Sequence, residues 1–313
     1  MNRVQGFHSL KNERGCLLSI GNFDGVHLGH QAILAALLKH SRQRNLPSVV
    51  MTFEPHPATL LKPTFIPPRL TTPIRKAELI CSMGIDTVVE YPTDWALLRL
   101  SPREFFDQII LQRLNAAGLV EGPNFFFGKG RSGNTEILGE FCRQAGCFLE
   151  VVLPELQAGE VVSSSLIRDA ISRGEVERAA VLLGRHYEIS GLVSLGAQRG
   201  RTIGFPTANL EEILTLIPAE GVYAASAMLN KQTYTAAVSV GPNPTFSDGR
   251  LKVEAHLVGA TGDFYGQTLT LRFIRRLRGL QKYSSTSELQ DQIQKDVAET
   301  QASLMNFSPG GIP

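Results

Sequence analysis

Two short stretches of the chain hold residue types whose spacing suits phosphate chemistry. The first is Gly21-Asn22-Phe23-Asp24-Gly25-Val26-His27-Leu28-Gly29-His30. It follows the apolar run CLLSI (16–20), which predicts a buried strand, and precedes QAILAALLKHSRQRN (31–45). In that segment Ile33, Leu34, Leu37 and Leu38 have the spacing of an amphipathic helix. A helix N-terminus beyond a strand's carboxyl end offers free N–H groups and partial positive charge to a phosphate. Gly21, Gly25 and Gly29 let the backbone come close to a ligand. His27 and His30 lie one helical turn apart, so both rings can face one phosphate. Donated hydrogen bonds there would stabilise charge building up as a leaving group departs.

The second stretch is Gly204-Phe205-Pro206-Thr207-Ala208-Asn209, shortly after Arg199-Gly200-Arg201. A loop of glycine and arginine can wrap a polyanion with backbone N–H groups and guanidinium forks. Thr207 and Asn209 alternate on one side of an extended chain. Their hydroxyl and carbonyl are hard oxygen ligands, suited to Mg²⁺ held mainly by nucleotide phosphates. Taken alone, this stretch reads better as a polar turn after a proline than as a binding site.

The elements that must position these residues divide the chain of 313 residues in two. Up to about residue 186, apolar runs (CLLSI, PSVVMTF, DTVVEY, LVEG, CFLEVVL) alternate with amphipathic segments. One helix starts at Thr72-Pro73 and stops at Gly84; another starts at Ser101-Pro102 with Glu104 behind and ends at Gly118. That alternation predicts a parallel sheet covered on both faces, with ligands beyond the strands' carboxyl ends. SSSLIRDAISRGEVERAAVLLG then reads as two short helices separated by Gly174. From residue 187 the strand-like runs YEISGLVSL, GVYAASAML, QTYTAAVSV, KVEAHLVG and QTLTLRFIRRL follow one another, set apart by turns. They predict an antiparallel barrel or sandwich. STSELQDQIQKDVAETQ predicts a final helix, and NFSPGGIP a frayed tail. The expected domains are therefore 1–186 and 187–313.

Composition sets limits on function. Lys and Arg number 31 against 29 Asp and Glu, a formal net charge of +2. Such a balance gives no whole-chain footprint for nucleic acid or a membrane surface. No run approaches the roughly 18 apolar residues of a membrane span, and MNRVQGFHSLKNERG lacks the apolar core of a secretory signal. The four cysteines form no CxxC pair. Scattered thiols fit a reducing cytoplasm rather than a zinc site.

HxGH resembles the nucleotidyltransferase superfamily, and the full string GNFDGVHLGH resembles the N-terminal domain of bacterial bifunctional riboflavin kinase/FMN adenylyltransferases. The likeness continues through Phe53-Glu54-Pro55-His56-Pro57 and Gly122-Pro123-Asn124-Phe125-Phe126-Phe127-Gly128. It extends to Val162-Ser163-Ser164-Ser165-Leu166-Ile167-Arg168, where Ser165 replaces the usual Thr. The second half carries the riboflavin kinase signature G-R-x-x-G-F-P-T-A-N over 200–209, then Gly221-Val222-Tyr223, Pro244-Thr245-Phe246 and Phe264-Tyr265-Gly266. Phe126 stands where many members have Arg, Leu280 replaces a Glu, and residues 257–266 lack the family's acidic stretch.

The resemblance implies an α/β Rossmann-like adenylyltransferase domain and a six-stranded antiparallel β-barrel kinase domain with a C-terminal helix. It implies that Gly21, Phe23, Asp24, Gly25, His27, Gly29, His30, Ser164, Ser165 and Arg168 bind ATP, with His27 and His30 catalytic. His56 and Asn124 would touch the flavin. In the barrel, Arg201, Gly204, Thr207 and Asn209 would hold ATP and Mg²⁺, with Thr207 and Asn209 as metal ligands. Glu254 would take the proton from the riboflavin 5′-hydroxyl. Riboflavin would become FMN and FMN would become FAD, each step consuming ATP. An adenylyltransferase with another acceptor would have no need of the second phosphate site, and a flavin-binding regulator would have no need of its catalytic groups.

Overall fold

The computed structural model describes residues 2–7, 15–195, 200, 203–243 and 248–305. Arg201, Pro244-Thr245-Phe246 and the expected tail over 306–313 lie outside them. By packing the chain forms two compact units, Met1–Pro67 with Thr71–Val162, and Pro68–Leu70 with Ser163–Pro313.

The first unit runs β1 (Arg3–Gln5), β2 (Cys16–Ile20), α1 (Leu28–Arg44), β3 (Ser48–Glu54), α2 (Ala58–Leu61), α3 (Pro73–Ser82), β4 (Thr87–Pro92) and α4 (Trp95–Arg99). Then come α5 (Pro102–Glu104), a π-helical stretch (Phe105–Arg113), β5 (Ala116–Glu121), α6 (Thr135–Ala145), β6 (Phe148–Val151) and the hairpin β7 (Leu156–Gln157) with β8 (Glu160–Val161). Six strands form one sheet in the order β1-β4-β3-β2-β5-β6, and every pair in it is parallel. Both faces are covered, as continuous apolar strands require. Leu34, Leu37, Ala77 and Ile80 pack on Leu17, Val50 and Val88. On the opposite face Phe106, Ile110, Leu138 and Cys142 pack on Leu18, Met51, Val89 and Leu119. The chain leaves β2 for β3 on one side and meets β5 on the other, so strand order reverses at β2. That reversal opens a crevice at the strands' carboxyl ends.

Ser101 and Glu104 form the expected capping box, and Thr72 caps α3 by accepting the Arg75 N–H. Two expectations need correction. The helix begun at Ser101 ends at Arg113, and Gly118 lies inside β5. A Cβ at Gly118 would stand 2.9 Å from the Phe148 Cβ, so close strand packing, not helix termination, requires the glycine. The strand β1 was not anticipated, because three residues at a sheet edge carry too little pattern.

The second unit opens with α7 (Ser164–Ser172) and α8 (Val176–Leu183), and continues through β9 (Glu188–Ser194), β10 (Ala208–Glu211), β11 (Gly221–Leu229), β12 (Gln232–Asn243), β13 (Asp248–Leu257), β14 (Thr268–Arg278) and α9 (Thr286–Met305). Its six strands close in the order β10-β13-β12-β11-β14-β9. The six-stranded antiparallel barrel that the family resemblance implies is the one observed, and closure pairs each of these strands on both sides. Helix α9 is held to β14 by a forked ion pair. Arg278 Nε and Nη2 donate to Asp296 Oδ1 and Oδ2 at 2.9 and 2.6 Å, with Asp296 almost wholly buried. By packing, α7 and α8 group with the barrel, so the packing boundary falls after Val162.

Candidate active sites

Towards its carboxyl end β2 stays paired with β3, while its register with β5 ends at Leu18. Ile20 N–H donates to Glu121 Oε1 at 2.8 Å, and Gly21 N–H donates to the Met51 carbonyl at 3.0 Å. Glu121 is fully buried, and burial pushes its carboxyl well above the usual carboxylate range despite that hydrogen bond. The following loop is strained. Phe23 and Val26 take left-handed φ of 47° and 40°, with Gly25 at 84°. Side-chain burial of Phe23 and Val26, each 2% exposed, holds this conformation in place. Asp24 fastens the loop from outside, accepting from Thr71 N–H and Oγ1 at 3.1 and 3.2 Å. Thr71 Oγ1 in turn accepts the Gly25 N–H at 3.2 Å.

The loop delivers His27 to the N-cap of α1, where its Nδ1 accepts the His30 N–H at 3.3 Å. In a neutral ring that leaves the proton on Nε2, so this nitrogen is the donor. The His27 and His30 rings stack at 3.6 Å between centroids, 19° from parallel. Gly29 permits the arrangement: a Cβ there would meet the His27 ring at 3.2 Å. The two histidines therefore converge at a helix N-terminus beside the crevice, the geometry their spacing predicts.

Other expected residues have separate settings. His56 follows β3, and its Nδ1 accepts the Ala58 N–H at 3.0 Å. Asn124 is exposed in the turn after β5. Phe127 is core, stacked on Phe125 at 5.4 Å, whereas Phe126 is 44% exposed beneath the Arg131 guanidinium. Ser163 caps α7 by accepting the Leu166 N–H, so Ser164 and Ser165 open that helix. Arg168 Nε donates to the Pro68 carbonyl at 2.8 Å. These four residues belong to the second unit.

In the barrel, Asn209 on β10 stands directly opposite Glu254 on β13, and Glu254 is also in register with Ser239 on β12. Asn209 pairs on its other side with Ser194 of β9. Register partners point to one face, so Ser194, Asn209, Glu254 and Ser239 form a half-buried polar row. The alternating Ala208, Leu210, Val253 and Ala255 are buried. His256 Nδ1 lies 2.9 Å from the Pro206 carbonyl, tying the segment before Thr207 to β13. The glycine loop folds tightly: Phe205 N–H donates to the Gly200 carbonyl at 2.8 Å, and a Cβ on Gly200 would strike the Phe205 carbonyl oxygen. Gly204 takes φ 85°. Among the described residues no group of three or more His, Cys, Asp or Glu could hold a metal.

Sequence reasoning missed Glu121, Thr71, Thr52 and Lys76, all of which support the histidine loop. Nothing in their local pattern marks them; Lys76 reads as a surface charge on an amphipathic helix.

Comparisons agree with this two-part reading. A family model described as FAD synthetase matches residues 9–166, and one described as riboflavin kinase matches residues 183–304. A bifunctional riboflavin kinase/FMN adenylyltransferase of Escherichia coli K12 is 34% identical over 299 residues, covering 95% of this chain and 96% of the relative. One of Pseudomonas fluorescens is 36% identical over 304 residues, covering 96% and 97%. One of Bacillus subtilis is 36% identical over 299 residues, covering 93% and 94%. A crystal structure from Streptococcus pneumoniae, described as a macrolide-efflux protein, matches with TM-score 0.88 at 30% identity, covering 98% of this chain and all of that one. Among the described residues of the present chain no helix is long and apolar enough to cross a membrane.

Proposed function

The chain belongs to the bifunctional riboflavin kinase/FMN adenylyltransferase family: it phosphorylates riboflavin to FMN and adenylylates FMN to FAD, and we propose that each activity uses one of the two constellations above. One observation carries the assignment. The paired histidines and the Asn209–Glu254 pair lie in different compact units. Functionally the division is drawn at residues 186 and 187, with adenylyl transfer before it and the kinase after it.

In the adenylyl transfer, the loop of Gly21, Phe23, Asp24, Gly25 and Gly29 shapes the N-terminus of α1 into an ATP-binding turn. His27 Nε2–H and the His30 ring donate to triphosphate oxygens and stabilise charge as pyrophosphate departs. Asp24 contributes through the loop's shape. Ser164, Ser165 and Arg168 are carried over from the family motif as further ATP-binding residues, and His56 and Asn124 as flavin contacts. The FMN phosphate attacks the α-phosphate in line, and the bond to pyrophosphate breaks.

In the phosphorylation, the Glu254 carboxylate accepts the proton of the riboflavin 5′-hydroxyl as that oxygen attacks the γ-phosphate. Gly204 and Arg201 are assigned to the ATP phosphates. The Thr207 hydroxyl and Asn209 carbonyl are an all-oxygen donor set that fits Mg²⁺ and would hold it. The ion would supply positive charge to offset that of the ATP phosphates. Four free cysteines and a near-neutral composition support a cytoplasmic enzyme of small-molecule substrates, without nucleic-acid or membrane partners.

The test is direct. With riboflavin, Mg²⁺ and ATP, chromatography should show FMN and then FAD. His30→Ala should lose FAD formation by on the order of 100-fold or more while FMN accumulates. Glu254→Ala should stop FMN formation while supplied FMN is still converted to FAD. If either variant, still folded, loses both activities, the division is wrong.

A further inference from the structure

Lys76 is a lysine where chemistry does not expect one. It lies on α3 only 6% exposed, and lysines are almost never fully buried without a task for the charge. Its ammonium donates to the Asn22 carbonyl at 3.1 Å and to Thr52 Oγ1 at 2.8 Å. Thr52 Oγ1, wholly buried, donates in turn to the same Asn22 carbonyl at 3.2 Å. One backbone oxygen of the histidine loop is thus gripped by two donors from below.

The position of that oxygen matters. Asn22 lies between Gly21, which is anchored to β3, and Phe23, the first of the left-handed residues. The Asp24–Thr71 contacts hold the far side of the same turn. Thr71 and Lys76 flank the start of α3, so one short segment clamps the loop at two points. A strained loop persists only where its surroundings over-determine it. On the same sheet face Glu90 is in register with Thr52, and Arg3 Nη2 pairs with the Glu90 carboxylate at 2.7 Å.

We propose that Lys76 is a positioning residue of the adenylyl-transfer site. It fixes the Asn22 carbonyl, and through it the backbone that presents His27 and His30 to the ATP triphosphate. The proposal rests on the histidine loop being the ATP site, so His30→Ala serves as the control.

The experiment measures FAD formation from supplied FMN in the full chain, well below each variant's melting temperature. Lys76→Met removes the charge at similar length. The expected result is a tenfold or greater rise in KM for ATP, with KM for FMN and the riboflavin kinase rate unchanged. Inhibition by inorganic tripolyphosphate should weaken by a similar factor. Lys76→Arg keeps a cation and should recover part of the loss. Thr52→Val keeps the ammonium, removes one donor and should show a smaller rise, two- to threefold. Thr52→Val also reads out the clamp if Lys76→Met fails to fold. A lower melting temperature with unchanged KM for ATP and unchanged tripolyphosphate inhibition would overturn the proposal. If His30→Ala itself still makes FAD at the normal rate, the site assignment fails instead.

Discussion

At the scale of single residues, the first site depends on residues that act by setting its shape. Gly29 is one: a Cβ would press on the His27 ring at 3.2 Å. Gly29→Ala should lower FAD formation by roughly tenfold, because the His27 ring must give by a few tenths of an ångström, with FMN formation unchanged in the same assay. Glu121 is another. Burial keeps its carboxyl protonated well above the ordinary value of 4.5. Above that pH the unfolded chain ionises Glu121 while the folded chain does not. Its contribution to stability is therefore full below 4.5 and is lost as pH rises through the folded pKa. Glu121→Gln removes the titration and keeps an oxygen to accept the Ile20 N–H. Between about pH 5 and 8, calorimetry should show the wild-type parallel-sheet unit losing stability relative to this variant. A pH-independent difference would mean the carboxyl is not held neutral. His27 and His30 could be picked out from sequence because two histidines at that spacing in a glycine loop are rare together, whereas the roles of Thr207, Asn209 and Glu254 came through the family resemblance. Glu121 and Lys76 could not be picked out, because what distinguishes them is burial.

At the scale of elements, local rules were sufficient where pattern and capping agree. Thr72-Pro73 starts α3, Ser101 with Glu104 starts α5, and alternation marks β9 to β14. They failed where tertiary contact overrides local preference. Gly118 looks like a helix stop and is a strand position that Phe148 crowds. The helix before it relaxes into π-winding and ends at Arg113. The attachment of α9 to the barrel is also tertiary. Nothing local pairs Arg278 with Asp296, eighteen residues apart. Removing one member of a buried pair strands the other. Asp296→Ala should therefore destabilise the barrel unit by about 3 kcal/mol, seen as a lower unfolding midpoint in urea. Riboflavin phosphorylation should fail at a lower denaturant concentration in this variant than in the wild type.

At the scale of the whole molecule, two consecutive steps of one conversion share a chain. Both steps use ATP, yet the net charge is only +2, as two proposed sites that draw positive potential from local glycine N–H groups, a helix end and a few cations would allow. If Thr207 and Asn209 hold Mg²⁺, chelation should stop FMN formation, and added Mg²⁺ should restore it. Persistence of phosphorylation in excess chelator would remove the metal from the mechanism.

By itself the sequence determined the chemistry and the architecture. Motif order pointed to two ATP-using activities, and hydrophobic period pointed to a parallel sheet followed by antiparallel strands, because both are carried by residue identity and spacing along the chain. Hydrophobic period left barrel and sandwich open and the family resemblance implied the barrel, but only the tertiary structure decided that Asn209 stands opposite Glu254 on the neighbouring strand. It also decided that α7 and α8 pack with the barrel, and that the histidine loop is held in a strained turn by Asp24, Thr71, Thr52 and Lys76. Those features depend on which distant segments share buried space, and burial is what turns an ordinary lysine or glutamate into part of a site.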